Sequence, residues 1–463
     1  MNAISKAAES GLPDHRVEVV DSAKRLSRGW IRCSVGEHLI FDPDLLGAYC
    51  FAQWDSRIYD AFVVAAAVQF CDHTRTRPSI GWGRNIALRI PVHNPELWES
   101  DAVFTALHDA LNFLTGDKWT ITFTARNSRA ESPKQQHFKV PDGAPIVMPF
   151  SDGLDSHIVA GLVKKKHGAN LLLVRLGSKL ANGTRCSDNK YPFAAMPYRV
   201  AYNDIRARES SARSRGFRFA LLSGIAAYLS GAKQIVVPES GQGALAPSLI
   251  PVGHAYEDYR NHPLFTERME VFLRALLGHT VHYIYPHLWH TKGETLKEFR
   301  MAFPSESAWM ATRSCWQNQR HVSVDGQMRQ CGICAACMLR RVSIHSANCV
   351  EDTATYVWNN LGASTFEKGA DPAYSLKKPR GAMYEYAVAG MLHLDHFAGL
   401  IESATNRTVV DRHLCQLSRS LGIAEEIVRT QFERLVRQHQ NEWQVFLDSL
   451  GPHSFIAQWV SRA

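Results

Sequence analysis

Four of the ten cysteines lie within one short segment, and this grouping is the strongest constraint on how the chain folds. Cys331, Cys334 and Cys337 form two overlapping C-x-x-C steps, and Cys315 lies upstream of them. Thiolates at this spacing can converge on one ion, and four of them suit tetrahedral Zn²⁺ while leaving no open position for catalysis. The sequence therefore predicts a structural zinc site, in which Gly332 allows the knuckle to turn tightly.

An iron–sulfur cluster is the main alternative for these cysteines, because it also takes four thiolates. A bacterial ferredoxin run would place a further Cys and then Pro just after Cys337, but Met338 and Leu339 stand there. This difference favours zinc, with free thiols as the third interpretation. The 21 histidines show no ligand spacing, and none is assigned to a metal.

Composition and charge indicate a globular protein of more than one domain. The 463 residues predict two to three domains, and 45% hydrophobic with 21% charged residues is typical of a globular chain. The net charge of +8 suits phosphate-bearing ligands, so a nucleic-acid partner is not required but stays open. No apolar run reaches the length of a membrane helix and no secretory signal is visible. We therefore expect a cytoplasmic protein with no membrane partner.

The middle of the chain alternates between strand-like and helix-like patterns. Residues 145–150 and 171–176 are short apolar runs, helical patterns follow at 157–166 and 217–229, and residues 234–237 begin another strand. Strands that alternate with helices at this spacing predict an α/β fold with a parallel sheet and crossover helices.

Three domains are expected from these patterns. Residues 1–138 are predicted to form an α+β N-terminal domain, because strand-like and helix-like segments precede a polar stretch that reads as a linker. Residues 139–348 contain the predicted parallel sheet and the zinc site. Residues 349–463 are rich in helical patterns and are predicted to form a helical C-terminal region.

The sharpest motif for function is the segment S-D-G-L-D-S, from Ser151 to Ser156. It directly follows a predicted strand and precedes a helix, which in a parallel sheet is the edge where ligands bind. Backbone N–H groups at a helix N-terminus favour an anion, and Gly153 lets the backbone approach a phosphate closely. The alternative is an ordinary capped turn, because Ser and Asp are common helix N-caps.

This segment resembles the S-G-G-x-D-S loop of the PP-loop ATP pyrophosphatases, which grip the pyrophosphate that leaves ATP. The resemblance implies that Mg²⁺ accompanies ATP, that Asp155 and Ser156 are catalytic, and that Asp155 holds a cation or orients the loop. Asp152 stands where the family usually has glycine. If that position needs a positive φ, Asp is among the few residues that tolerate it. The implied ATP-binding residues are Ser151, Asp152, Gly153, Leu154, Asp155 and Ser156.

The loop and the cysteines together resemble the 7-cyano-7-deazaguanine synthase (QueC) family, over about residues 144–344. That family has a PP-loop followed by T-x-S-C and then C-G-x-C-x-x-C-x-x-R. The matching residues are Thr312, Ser314, Cys315, Cys331, Gly332, Cys334, Cys337 and Arg340. The segment from Thr291 to Glu294 (T-K-G-E) is similar to the Lys/Glu stretch of that family.

The resemblance implies an ATP-dependent carbon–nitrogen ligase that adenylates 7-carboxy-7-deazaguanine and releases pyrophosphate. Ammonia, or an amine of a partner protein, would then displace AMP. Lys292 and Glu294 are implied to bind substrate, and Glu239, which follows a later strand, is our candidate for the guanidine-like edge of the base. Because the chain is longer than ordinary family members, it is most similar to the enlarged QueC-like proteins of bacterial anti-phage systems, Qat and type IV CBASS.

Two other functions remain open from the sequence. PP-loop enzymes also adenylate nucleobases of tRNA for thiolation, which would require a sulfur donor and tRNA. A non-catalytic ATP-binding subunit of a defence complex is the third reading, and the acidic Asp152 in the loop supports it.

Overall fold

The computed structural model describes most of the chain. The described residues are 13–21, 26–41, 55–78, 80–126, 128, 144–176, 193–196, 198–203, 205, 209–251, 255–317, 321–374 and 380–460. They divide into two compact units, each built from separated segments of the chain. Unit 1 comprises Met1–Phe150, His167–Val237 and His254–Ile284, and unit 2 comprises Ser151–Lys166, Pro238–Gly253 and Tyr285–Ala463. The division into domains at residues 138 and 348 stays a prediction.

The described residues form strands and helices with the following bounds. The strands are β1 His15–Val20, β2 Ile31–Ser34, β3 Leu39–Phe41, β4 Asn85–Val92, β5 Lys118–Ala125, β6 Ile146–Phe150, β7 Leu171–Leu176, β8 Phe193–Met196, β9 Tyr198–Val200, β10 Gln234–Val236, β11 His282–Ile284, β12 Ser323–Val324 and β13 Gln327–Met328. The helices are α1 Ser56–Thr74, α2 Pro95–Trp98, α3 Asp101–Thr115, α4 Leu154–His167, α5 Arg215–Ser230, α6 Gly241–Ala244, α7 Ala246–Leu249, α8 Pro263–Leu277, α9 Lys292–Ala302, α10 Ala335–Ser346, α11 Arg380–Ala398, α12 Arg407–Leu421, α13 Glu425–Leu450 and α14 Phe455–Val460.

Two parallel sheets form the framework of unit 1. The first has the strand order β2-β1-β4-β5 and the second has the order β11-β10-β6-β7-β8. All neighbouring strands in both sheets are parallel. The predicted α/β fold with a parallel sheet is therefore confirmed, although the PP-loop fold as such stays a proposal.

The N-terminal region differs from the α+β arrangement that the sequence predicted. Its four strands are parallel, so the chain must cross over between them, and α3 makes such a connection between β4 and β5. β5 is the edge strand of this parallel sheet, and its residues alternate between exposed and buried. Alternation reports which side of a strand meets solvent and does not report the direction of its neighbour.

The middle of helix α1 lies in the core of unit 1 because it is apolar on every face. Residues 61–68 are all at most 2% exposed. A helix that is hydrophobic all round has no polar side to present to water and is therefore buried.

Unit 2 is dominated by helices in its C-terminal part, as predicted. The long helix α13 places Val428, Phe432, Leu435 and Trp443 on one buried face. These residues recur at three- and four-residue steps or their multiples, the spacing of one face of an α-helix. In the part of the chain that the structure describes, no helix is both long and apolar enough to cross a membrane.

A buried network of charges stabilises unit 1. Arg84 donates from Nη2 to Asp72 Oδ1 at 2.6 Å and to Asp117 Oδ2 at 2.7 Å, and Arg77 donates from Nη1 to Asp117 Oδ1 at 2.7 Å. Burial alone would raise the pKa of Asp72, but the adjacent Arg84 and Arg77 lower it below its usual value. The Asp72 carboxylate therefore depends on the two guanidinium groups to stay charged inside the fold.

We predict that Arg84→Met lowers the free energy of unfolding by about 3–5 kcal/mol, because it leaves buried carboxylates without their main partner. Urea unfolding followed by circular dichroism measures the loss. Arg437→Met is the control: the Arg437 side chain is 70% exposed and lies 3.8 Å from Glu433, so its loss should cost less than about 1 kcal/mol. Equal losses in the two variants would contradict this assignment.

Candidate functional site

The segment from Ser151 to Ser156 joins a strand to a helix, in the order that the sequence predicted. Strand β6 ends at Phe150 and helix α4 begins at Leu154. The Oγ atoms of Ser151 and Ser156 lie 2.9 Å apart, and the N–H of Gly153 donates to Ser151 Oγ at 3.2 Å. These bonds give the loop a compact form at the start of a helix of 14 residues, where backbone N–H groups favour an anion.

Asp152 is not strained by occupying the position where PP-loop enzymes usually have glycine. Neither Asp152 nor Gly153 adopts the left-handed region of φ. Gly153 is instead restricted by space, because a Cβ there would lie 3.1 Å from Ser151 Oγ. The exposed Asp152 therefore differs from glycine in its charge rather than in its backbone conformation.

The loop is anchored to the segment that precedes Cys315. The N–H of Arg313 donates to the carbonyl oxygen of Asp152 at 2.7 Å. The guanidinium of Arg313 is held in turn by the carbonyl oxygens of Arg329 and Gln317, each at 2.8 Å. The two motifs that the sequence analysis combined are thus joined by a direct backbone hydrogen bond.

Asp155 forms an ion pair with Lys292, which the sequence assigned to the same site. Lys292 Nζ lies 2.6 Å from Asp155 Oδ2, and Lys292 is buried. Burial disfavours the ammonium form, but Asp155 and then Glu239 outweigh it and raise the pKa of Lys292 above its ordinary value. Three predicted site residues are therefore brought within electrostatic reach of one another.

The backbone around Lys292 is fixed by the start of helix α9. Thr291 caps this helix and forms a capping box with Glu294. The Lys292 N–H donates to Gln242 Oε1 at 2.7 Å, and Thr291 Oγ1 donates to Glu442 Oε1 at 2.6 Å. A lysine at this position therefore projects from a rigid helix end rather than from a free loop.

Glu294 holds the start of helix α9 in place. Its carboxylate accepts the Thr291 N–H at 2.9 Å, and it also binds the guanidinium of Arg434, with Nη1 2.9 Å from Oε2. These contacts stabilise the end of α9 that carries Lys292. The substrate contact expected for Glu294 stays a prediction.

Glu239 lies shortly after β10, at the start of the segment that leads into α6. It is half-buried, and its carboxylate occupies the space beside Gly243, where a Cβ would lie 2.1 Å from Glu239 Oε1. The Gly241 N–H donates to the carbonyl oxygen of His290 at 3.0 Å, which ties this segment to the turn before Lys292. Gly243 thus leaves room for a carboxylate close to the Asp155–Lys292 pair.

The four predicted metal-binding cysteines converge. One Sγ atom from each of Cys315, Cys331, Cys334 and Cys337 lies within 4.8 Å of the other three. The Cys331 N–H donates to Cys315 Sγ at 3.2 Å, and the Cys334 N–H donates to Cys331 Sγ at 3.3 Å. Gly332 has a φ of +84°, which explains the glycine in this knuckle. The set of soft sulfur donors fits a tetrahedral ion such as Zn²⁺.

The electrostatics of the cluster require a cation if all four sulfurs are to ionise. Hydrogen bonds from the neighbouring thiols lower the pKa of Cys315, whereas burial raises the pKa of Cys331 and of Cys337. Four negative charges this close together repel each other in a buried site. A divalent ion would remove that repulsion and crosslink the cysteines, which is how a structural zinc contributes to folding.

The two ends of the cysteine motif also contact each other. Arg340 is fully buried; its Nη1 donates to Thr312 Oγ1 at 2.6 Å and its Nη2 to Glu351 Oε1 at 2.5 Å. The side-chain oxygen of Gln330 accepts the N–H groups of Ser314 at 2.8 Å and of Cys315 at 3.1 Å. The T-x-S-C segment is therefore held from one side by Arg340 and from the other by Gln330.

Comparison with models of protein families, with curated proteins and with solved structures found no match to this chain. The functional assignment therefore depends on the residues and their geometry.

Sequence analysis missed two residues that support the site, His439 and Glu442. Gln242 bridges Lys292 to the buried His439, with Gln242 Nε2 2.8 Å from His439 Nδ1. Glu442 on α13 accepts from Thr291. His439 and Glu442 are far from the loop in sequence, and only their position on the buried face of a predicted helix could have signalled them.

We predict that Cys334→Ser loses the tightly bound zinc and is less stable, because three thiolates hold the ion poorly and the knuckle depends on it. Elemental analysis after dialysis against a weak chelator, together with thermal unfolding, measures both effects. Cys349→Ser is the matched control, because Cys349 is only half-buried and lies outside the cluster. Iron in a brown protein would instead show an iron–sulfur cluster.

Proposed function

We propose that this chain is an ATP-dependent carbon–nitrogen ligase of the QueC type. It would adenylate the carboxylate of a 7-carboxy-7-deazaguanine-type base, release pyrophosphate, and present the acyl adenylate to ammonia or to an amine of a partner protein. Its enlarged form favours a role in bacterial anti-phage defence. The observation that carries the proposal is the Asp155–Lys292 ion pair beside the Ser151–Ser156 loop, with Glu239 within electrostatic reach.

The loop supplies what a leaving pyrophosphate needs. The first N–H groups of an α-helix have no partner within the helix, and they carry a partial positive charge. The hydroxyl groups of Ser151 and Ser156 add donors that rotation can redirect to a phosphate. In this proposal the β- and γ-phosphates of ATP lie against the start of α4, and the loop stabilises the charge that develops as pyrophosphate leaves.

Lys292 and Asp155 would each help to compensate the negative charge of the phosphates. Lys292 is a buried cation on a fixed helix end, so it can neutralise phosphate charge without first losing a full hydration shell. Asp155 keeps Lys292 charged and, being part-exposed, can offer an oxygen to Mg²⁺ that arrives with ATP. Such an ion would also separate the phosphates from the negative charge of Asp152.

The chemistry balances as an in-line displacement at the α-phosphate. A carboxylate oxygen of the base attacks phosphorus, the bond to the bridging oxygen of the β-phosphate breaks, and pyrophosphate leaves with that electron pair. An amine nitrogen then attacks the activated carbonyl carbon, AMP leaves, and the amine loses a proton. Activation is needed because a free carboxylate has no adequate leaving group.

The zinc site would act as the scaffold for this loop. Bound by four thiolates, zinc has no free position for substrate, so it supplies a structural crosslink and no catalytic step. The crosslinked knuckle leads to Arg313, whose N–H binds the carbonyl oxygen of Asp152. Loss of zinc is therefore expected to disturb the nucleotide loop as well as the knuckle.

The decisive experiment mixes the full chain with ATP, Mg²⁺, 7-carboxy-7-deazaguanine and ammonium, and follows AMP, pyrophosphate and the base by mass spectrometry. Formation of AMP together with an amidated or dehydrated base supports the proposal. Binding of ATP with no AMP, with or without added partner proteins, would favour the non-catalytic subunit that Asp152 supports. Activity that requires tRNA and a sulfur donor would favour thiolation.

We predict that Asp155→Asn lowers pyrophosphate release by at least about a hundredfold, because it removes the carboxylate that orients Lys292 and holds the cation. It also leaves a buried ammonium without its closest partner, which costs up to about 3–5 kcal/mol for a fully buried pair and less here because Asp155 is part-exposed.

The double variant Asp155→Asn with Lys292→Met separates loss of function from loss of stability. Removing both charges should restore much of the stability, since no unpaired ammonium remains, while pyrophosphate release stays absent. Recovery of activity in the double variant, or normal activity in Asp155→Asn, would contradict the assignment of this loop as the nucleotide site.

We predict that Glu239→Gln weakens binding of the deazaguanine base much more than binding of ATP. A neutral amide cannot accept both donors of the guanidine-like edge, and one unpaired buried donor costs about 1–3 kcal/mol. That is about a 5- to 150-fold rise in Kd, which calorimetry can measure for each ligand separately. The exposed Glu402→Gln is the control. Equal weakening of both ligands, or none for the base, would place the base pocket elsewhere.

A further inference from the structure

A second group of metal-type ligands lies in unit 2, outside the cysteine cluster. His287, His290 and Glu298 each offer one ligand atom, and these atoms all lie within 4.8 Å of one another. The two histidines belong to the turn that precedes α9, and Glu298 lies on α9. The sequence analysis assigned no histidine to a metal, because ligands from a turn and a helix do not follow one repeating spacing.

The backbone that carries this group is held in place. The His290 N–H donates to the carbonyl oxygen of His287 at 3.1 Å, which closes the turn, and the His290 carbonyl oxygen accepts the Gly241 N–H at 3.0 Å. Directly afterwards, the capping box at Thr291 fixes the start of α9. The three ligands therefore extend from a rigid turn and a rigid helix, as a binding site requires.

His290 has a ring nitrogen that no described residue uses. The Nδ1 atom of this half-buried residue is itself buried, without a hydrogen-bond partner among the described residues. The buried His287 faces Glu298 through Nε2, so Nε2 is its candidate ligand atom. A buried ring nitrogen without a partner is costly, because it has lost its water and gained nothing in exchange.

The spacing of the ligand atoms agrees with coordination of a tetrahedral ion. His287 Nε2 and Glu298 Oε2 are 3.3 Å apart, which is long for a hydrogen bond of this type. Two ligands at about 2.0–2.1 Å from a tetrahedral ion are separated by about 3.3–3.4 Å. Two imidazoles and one carboxylate suit Zn²⁺ and neighbouring first-row ions better than Mg²⁺, which prefers oxygen ligands.

We propose that His287, His290 and Glu298 bind a second divalent transition-metal ion, such as Zn²⁺, distinct from the ion of the cysteine cluster. With three protein ligands the site leaves at least one position open for water or a substrate oxygen. Glu298 is 47% exposed at its side chain, so this open position can be reached from solvent. Lys292, two residues after His290, pairs with Asp155 at 2.6 Å, which puts the site near the proposed nucleotide loop.

This inference stands independently of the ligase proposal, and its test needs no substrate. The full chain is equilibrated with zinc at buffered free concentrations, and bound zinc is measured by mass spectrometry of the metal. We expect a second equivalent that binds more weakly than the first. His290→Gln and Glu298→Gln should each weaken this second equivalent by at least about tenfold, because each variant removes one ligand. His282→Gln is the control, since His282 pairs with Glu270 on an exposed surface and should leave both equivalents in place.

Cobalt distinguishes the two sites in the same protein. Co²⁺ bound by four thiolates gives strong charge-transfer absorption, whereas Co²⁺ on imidazole and carboxylate gives only weak visible bands. The second equivalent should therefore add weak bands alone, and these should disappear in Glu298→Gln while the charge-transfer absorption stays. Zinc that saturates at one equivalent in the unmodified chain would overturn the proposal, as would a second equivalent that the Glu298 and His290 variants bind unchanged.

Discussion

The convergence of four thiols, three of them buried, is the constraint on which the architecture of unit 2 depends. The sulfurs of Cys315, Cys331, Cys334 and Cys337 are too close to carry four charges without a cation. An ion bound there would therefore couple folding to metal binding. The consequence reaches beyond the knuckle. Helix α10 starts at the knuckle and carries Arg340, whose side chain binds Thr312. Arg313, the residue after Thr312, binds the carbonyl oxygen of Asp152 in the loop. A structural ion can thus determine the shape of a loop that does not touch it.

The Asp155–Lys292 pair is the second point at which charge decides the arrangement. A buried ammonium is stable only when a carboxylate compensates the loss of water, and Asp155 and Glu239 supply that compensation. A pair of this kind contributes little net stability, but it places one cation at a defined position beside a helix N-terminus. In sites that bind phosphate, the position of the cation matters more than the energy of the ion pair.

The turn and helix from His287 to Glu298 bring several features of the candidate site together in one short segment. They contain the proposed second metal ligands, the capping box, and the lysine that pairs with the loop. Helix α13 supports this stretch from outside through Glu442 and, by way of Gln242, through His439. The helical C-terminal region is therefore part of the framework of the candidate site.

Local chemistry determined what could be predicted from the sequence alone. The spacing of the cysteines predicted their convergence, and Gly332 predicted a tight turn. The strand–loop–helix order around Gly153 followed from residues adjacent in the sequence. Parallel strands also follow from the alternation of strands and helices. These features depend on short-range sterics, hydrogen bonding and ligand valence, which neighbouring residues specify.

Only the tertiary structure decided which distant side chains meet. The Gln242–His439 bridge, the Arg313–Asp152 bond and the group of His287, His290 and Glu298 join segments whose separation in sequence has no fixed relation to their separation in space. The parallel pairing of the N-terminal strands was missed for the same reason. The alternation of buried and exposed residues can be read from a single strand. Which strand pairs with it, and in which direction, depends on two strands and is decided by how they pack.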